Sequence, residues 1–133
     1  MLRALSALQQ DRPTESLDGL QTTLRYELAP NGLNFNFYLG GLHSAYLRGE
    51  ALAAARRYAE AAAEFQKILD HRGIVGADPI GALAHLQLGR TFVLSGDRVK
   101  AKAAYQDFLA IWKNADADAP LLTKAKAEYA KVN

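Results

Sequence analysis

The sequence predicts an all-α fold: three helix-turn-helix pairs in succession, closed by one further helix. Three observations predict it. Alanine and leucine dominate and β-branched residues are few, which favours helix. Apolar residues recur at spacings of three and four along most of the chain. Small residues stand at matching places in successive pairs, at Ser16, Ala61 and Ala101, separated by 45 and 40 residues.

Residues 2 to 10 read as a short helix. Asp11-Arg12-Pro13 is a turn, with Asp11 as a cap and Pro13 in the first turn of a second helix that runs to Glu27. Leu17, Leu20 and Leu24 share one face of it. Pro30, Asn31 and Gly32 break the chain between Ala29 and Leu33. The aromatic, Asn-rich stretch Asn34 to Gly41 reads as a loop or an irregular helix start. A third helix covers Leu42 to Arg56, with Leu42, Ala45, Tyr46, Gly49, Leu52 and Ala53 as its apolar stripe. A fourth runs from Tyr58 to Leu69, with Ala61, Phe65, Ile68 and Leu69 facing inward. Asp70 to Ala77 reads as a loop, after which Asp78 caps the next helix and Pro79 starts it.

The stretch from Gly81 to Trp112 is the most explicit hairpin. Gly96 suits the left-handed position after a helix, and the Asp97 carboxylate can cap the helix that follows. Gly89 and Ala101 let the two helices approach, while Leu88, Phe92, Tyr105 and Phe108 fill the seam. A polar loop follows from Asn114 to Ala119. Asp118 and Pro120 open a last helix to Val132, with Leu122, Ala125, Tyr129 and Val132 on one side and Lys124, Lys126, Glu128 and Lys131 on the polar side.

These positions resemble the tetratricopeptide (TPR) repeat. His85, Leu88, Gly89 and Phe92 match its W-x2-L-G-x2-Y pattern, and Ala101 and Tyr105 its A-x3-F pattern. Gly49 and Leu52, then Ala61 and Phe65, match in the preceding pair; Ser16 and Leu20 match in a degenerate first pair. The resemblance implies a single TPR-like α-solenoid, with repeats at 2–28, 42–70 and 79–113 and a capping helix at 120–132. The observed spacings exceed the usual repeat of about 34 residues. The surplus falls in Ala29 to Gly41 and Asp70 to Pro79, both between repeats.

Composition excludes several function classes. Net charge is only +2, with acids and bases interleaved, which argues against nucleic acid as a partner of this domain. Without cysteine there is neither a disulfide framework nor a thiolate metal site. No apolar run reaches membrane-span length. The N-terminus, MLRALSALQQ, lacks the layout of a signal peptide. It reads as a fold helix that begins abruptly, so a fragment of a larger protein is expected, in the cytoplasm.

Four segments carry a narrower resemblance: AEAAAEFQKILDHRGI (Ala59 to Ile74), PIGALAHLQLGR (Pro79 to Arg90), AYQDFLAIWKNAD (Ala104 to Asp116) and AKAEYAKV (Ala125 to Val132). Together they resemble the C-terminal TPR region of bacterial eukaryotic-like serine/threonine protein kinases, most strongly from Tyr46 onward. Related arrays also follow winged-helix domains in bacterial transcription regulators. The resemblance implies a non-catalytic docking or regulatory part of a signalling protein that binds a protein or peptide. The glycine-rich loop, the HRD-like loop and DFG are all absent, so no catalytic role is carried over and no cofactor is expected.

In such an array the first helix of each pair lines the inner groove. By resemblance, that face carries His43, Tyr46, Glu50 and Ala53, then Leu83, Leu86, Arg90 and Val93. Tyr46, Glu50 and Arg90 form a mixed polar and aromatic patch of the kind that anchors interfaces. The plainer alternative is that Glu50 and Arg90 pair with each other. Of the histidines, His85 is expected to pack within its hairpin and His71 to serve a helix end; no metal site is expected. Gly40-Gly41 lacks the Lys-Ser/Thr of a phosphate loop. Glu60 and Glu64, with Lys67, fit a solvated helix face. Leu2, Leu5 and Leu8 give the first helix an apolar side, from which self-association through the N-terminal helices is expected.

Overall fold

The computed structural model describes residues 2–28, 42–115 and 119–133, and its described elements are helices and turns. They are α1 (Leu2–Gln9), α2 (Pro13–Leu20), α3 (His43–Ala54), α4 (Tyr58–Asp70), α5 (Arg72–Val75), α6 (Ile80–Ser95), α7 (Arg98–Ile111) and α8 (Pro120–Val132). A 3-10 stretch, Gln21–Tyr26, follows α2. The fold is all-α. The breaker at 29–33, the loop at 34–41 with its two glycines, and the Asp118 cap lie outside the described residues.

Helices pack on their neighbours in chain order: α1 on α2, α3 on α4, α6 on α7, with α2 against α3, α4 against α6 and α7 against α8. The three hairpins share one turn. The fifth residue back supplies its carbonyl each time: Arg12 N–H bonds Ala7 O at 2.9 Å, Arg57 N–H bonds Leu52 O at 2.8 Å, and Asp97 N–H bonds Phe92 O at 2.9 Å. This is the closure of a Schellman turn, and it needs a left-handed residue just before the donor. Asp11 (φ 55°), Arg56 (φ 60°) and Gly96 (φ 84°) take that conformation. Five residues after each comes a fully buried small residue, Ser16, Ala61 or Ala101.

The close approach of paired helices is visible at two glycines. A Cβ on Gly49 would lie 2.7 Å from the Phe65 ring, and one on Gly89 3.0 Å from the Tyr105 ring. Each ring therefore occupies the space a side chain would take at that glycine. The main core runs through Leu52, Phe65, Ile68, Ile80 and Leu88, joining the second hairpin to the third. A second cluster, with Leu86, Tyr105, Phe108, Leu122 and Ala125, seats α8.

Several local expectations are corrected. The helix after Pro13 does not continue to Glu27. It loosens to 3-10 geometry after Leu20, where the Thr23 hydroxyl takes the Leu20 carbonyl at 2.6 Å and competes with the helical ladder. Leu24 is consequently exposed, not on the inner face. Asp11 is the left-handed turn residue rather than a cap; Arg12 holds the cap position, and its side chain makes no capping bond. The 70–77 stretch contains the one-turn helix α5, stopped by Gly76 at φ 55°. The Asp97 carboxylate caps as expected, accepting from Lys100 N–H at 3.1 Å. Asp78 and Pro79 are each one position off: Pro79 holds the cap position of α6 rather than starting it, and the Asp78 carboxylate, one residue earlier, accepts from Ile80 N–H at 3.0 Å.

Candidate functional site

Helices α3, α6 and α8 lie in succession, and a polar strip crosses them. On α3, Tyr46 and Glu50 are one turn apart and both half-buried. From α6, the Gln87 amide donates to the Tyr46 oxygen at 3.0 Å and to Glu50 Oε1 at 2.9 Å. One turn further along α6, Arg90 grips Glu128 of α8 with two bonds, Nε to Oε2 at 2.9 Å and Nη2 to Oε1 at 3.0 Å. Tyr105 of α7 donates its hydroxyl to the same carboxylate at 2.9 Å.

The charges on this strip are unevenly matched. Burial opposes ionisation of Glu128, but the hydrogen bonds from Arg90 and Tyr105 hold its carboxyl below the ordinary range. Burial also disfavours the Arg90 cation, yet Glu128 keeps its pKa above the usual value. Glu50 differs. Burial raises its carboxyl, and the opposing effects of Tyr46, Arg90 and Gln87 do not cancel that. Among the described residues it has no cation within ion-pair distance; Arg90 points its paired nitrogens at Glu128 instead. The Tyr46 phenol, desolvated and beside Glu50, is pushed up to about 12. A carboxylate half-buried and bonded only by neutral donors can accept a hydrogen bond or a positive charge from outside.

The six expected groove residues separate in this structure. Tyr46, Glu50 and Arg90 are brought onto one strip, while the direct Glu50–Arg90 pair is replaced by Arg90–Glu128. His43 lies at the other end of α3, its Nε2 3.4 Å from Asp78 Oδ2. Leu83 is half-buried. Leu86 is a correction: only 1 % exposed, it packs in the cluster with Leu122 and Ala125 and offers nothing to a ligand. Glu128 is a correction too, because it faces α6 and α7 rather than solvent. Gln87 and Tyr105 were missed as members of the strip. Gln87 had a signal, a polar residue one turn before Arg90 on the same helix.

A second polar cluster was also missed. The Glu27 carboxylate, 2 % exposed, receives Arg48 Nη1 at 2.7 Å, Arg48 Nη2 at 2.9 Å, the Ser44 hydroxyl at 2.7 Å and Lys67 Nζ at 3.2 Å. Arg48 Nη2 also reaches Glu64 at 2.7 Å. Burial works against the Glu27 charge, but Arg48 and Ser44 outweigh it and bring the carboxyl to about 2. Glu64 is thus not on a solvated face, although its pair with Lys67 forms at 3.4 Å; Glu60 is exposed and pairs with Arg57. This cluster is internally neutral and ties the end of the first hairpin to the second.

His85 packs within its hairpin, 8 % exposed, its Nδ1 3.7 Å from Asp107; burial lowers its pKa. His71 Nδ1 lies 2.7 Å from the Lys67 carbonyl at the end of α4. On α1, Leu2 and Leu5 are exposed, whereas Leu8 packs inward on Ala4, Leu20 and Leu47, so the apolar side is narrower than the sequence pattern suggests. Among the described residues no three His, Asp or Glu side chains cluster as a metal site would, and no helix is long and apolar enough to cross a membrane. The chain matches no model of a known protein family, and no characterised protein matches it in sequence.

Proposed function

We propose that the chain is a TPR-type α-solenoid acting as a non-catalytic protein-interaction module, with a protein or peptide as its partner. The observation that carries the reading is the strip itself. Tyr46 and Glu50 on α3, Gln87 and Arg90 on α6, and Glu128 on α8 align polar and aromatic groups across three successive helices. The shared turn of the hairpins and their glycine-on-ring packing support the repeat assignment. Within the strip, Glu50 is the group left to engage a partner, and Tyr46 beside it supplies the aromatic surface typical of interface anchors.

By resemblance, the module serves as the C-terminal docking or regulatory part of a cytoplasmic bacterial serine/threonine protein kinase; a winged-helix regulator is the other setting. A structural role in dimerisation is a second reading, favoured by one observation: Leu2 is 85 % exposed and Leu5 42 % exposed on α1. The two readings respond to different substitutions. Cell extract is passed over the immobilised wild-type chain, over Tyr46→Ala and Glu50→Ala, and over Lys102→Ala as a control on an exposed face. The groove reading expects bound proteins to be lost from the first two variants and kept by the third. Retention by all three overturns it. A dimerisation module would instead lose mass in sedimentation when Leu2 and Leu5 become serine.

A further inference from the structure

We infer that the cleft between the C-terminal ends of α6 and α8 binds an acidic peptide segment anchored by an apolar side chain. This deepens the groove reading and rests on it, since the cleft begins where the polar strip ends, at Arg90, Tyr105 and Glu128.

The cleft measures about 640 Å³. Val93, Leu94 and Val132 line it, and the first two are 43 % and 58 % exposed. Adjacent exposed apolar residues at the mouth of a concavity are suited to receiving one apolar side chain. The charged lining is lopsided. Arg90, Arg98 and Lys131 stand against a single carboxylate, Glu128. That carboxylate already holds both Arg90 nitrogens and the Tyr105 hydroxyl. Arg98 Nη2 donates to the Lys131 carbonyl at 3.1 Å, which sets the guanidinium beside the last turn of α8. Among the described residues neither Arg98 nor the Lys131 ammonium has a carboxylate partner. Two positive charges are therefore left beside an apolar recess, and a peptide with acids flanking an apolar residue complements both features. The exposed apolar helix of a second copy, LRALSALQ, does not, since it carries Arg3 and no acid.

The test is a titration of the isotopically labelled full chain with acetyl-Glu-Leu-Leu-Glu-amide, whose blocked ends leave side chains as its only charges. The same titration is run with glutamine and with lysine in place of glutamate. Backbone amide shifts are expected at Leu94, Gly96 and Lys131 with the glutamyl peptide, weakened about tenfold with the glutamine peptide and absent with the lysine peptide. Arg98→Glu combined with Lys131→Glu, both exposed, is expected to abolish them with unchanged helicity. Absence of shifts, equal shifts from all three peptides, or indifference to the double substitution overturns the proposal. So does cosedimentation with phosphatidylserine vesicles that the double variant loses, which would make the patch a lipid contact. Silence of the glutamyl peptide alongside loss of extract proteins from Tyr46→Ala would remove this inference and leave the groove reading standing.

Discussion

The second and third hairpins align by a shift of 40 residues, and their frames agree. Gly49 and Gly89 face Phe65 and Tyr105; Ala61 and Ala101 are both fully buried; the turns close through the same hydrogen bond. Their seams do not agree. The second hairpin places Arg48 and Glu64 where the third has Leu88 and Ala104. The first pair forms a charge cluster with Glu27, and the second pair joins the main apolar core. The difference follows from what each hairpin must receive. The third meets α4, whose inner face is apolar. The second meets the end of the first hairpin, where Glu27 arrives with its charge. A repeat frame thus dictates small residues and turns, while the neighbour dictates the seam.

The largest effect should come from breaking the charged seam. Arg48→Leu copies the third hairpin into the second but leaves Glu27 and Glu64 short of a cation. A loss of about 3–5 kcal/mol is expected in urea unfolding. Glu27→Gln, Arg48→Leu and Glu64→Ala together remove the whole cluster save Lys67, which reaches solvent. That triple variant should return to within about 1 kcal/mol of wild type. If it remains as unstable as Arg48→Leu, the two seams are not interchangeable fillings of one frame.

Acid separates the seams next. The Glu27 carboxyl is at about 2 when folded and near 4.5 when unfolded. A depressed carboxyl contributes its stability in full above the unfolded value and loses it as pH falls toward the folded one. Between pH 5 and pH 3 the wild type should lose about 2 kcal/mol from this group. The triple variant should keep only the smaller slopes from Glu128, Glu60 and Asp97, whose carboxyls are also lowered. Equal slopes in both proteins would place the acid sensitivity elsewhere.

The glycines test the shared frame rather than the seams. Alanine is the better helix former by about 1 kcal/mol. At Gly49 that gain meets a Cβ 2.7 Å from Phe65, a ring 1 % exposed with nowhere to move. Gly49→Ala should therefore lower stability by about 1–2 kcal/mol net. At Gly89 the approach is 3.0 Å, and Gly89→Ala should stay within about 1 kcal/mol of wild type. The ordering is the test: a larger loss at Gly89 would mean the third hairpin is the tighter of the two.

Much of this frame was legible because it is written in local chemistry. Gly96 followed by Asp97, or Gly89 a fixed step from Tyr105, can be read without knowing any distant residue. The charged seam was not legible. Arg48 sits on a helix with the pattern of a solvated cation until Glu27, 21 residues earlier, is known to lie against it. The candidate site failed for the same reason at Leu86 and Glu128. The resemblance set Leu86 on one face with Leu83 and Arg90, but α8 decides that Leu86 is covered. Glu128, set among lysines, gave no sign that Arg90 would turn to it instead of Glu50. Tyr46, Glu50 and Arg90, placed on one face by the resemblance, do share a strip, because Tyr46 and Glu50 stand one turn apart on α3 and Gln87 of α6 bonds both.

The smallest effect lies in the turns, where the hairpins again differ by one residue. Arg56 holds the left-handed conformation that Gly96 holds 40 residues later. An L-residue with a full side chain is disfavoured there by about 1 kcal/mol or more, and Arg56 is exposed, so its side chain contributes little packing. Arg56→Gly should stabilise the chain by about 0.5–1 kcal/mol, after the entropy that glycine adds to the unfolded state is subtracted. Gly96→Arg should lower stability by a similar amount. Asp11, in the first turn, belongs to a residue type that visits this region more readily, so Asp11→Gly should gain less than Arg56→Gly. Thermal melts of the three variants set the order. A gain at Asp11 larger than at Arg56 would show that steric strain at the turn residue is not what separates these hairpins.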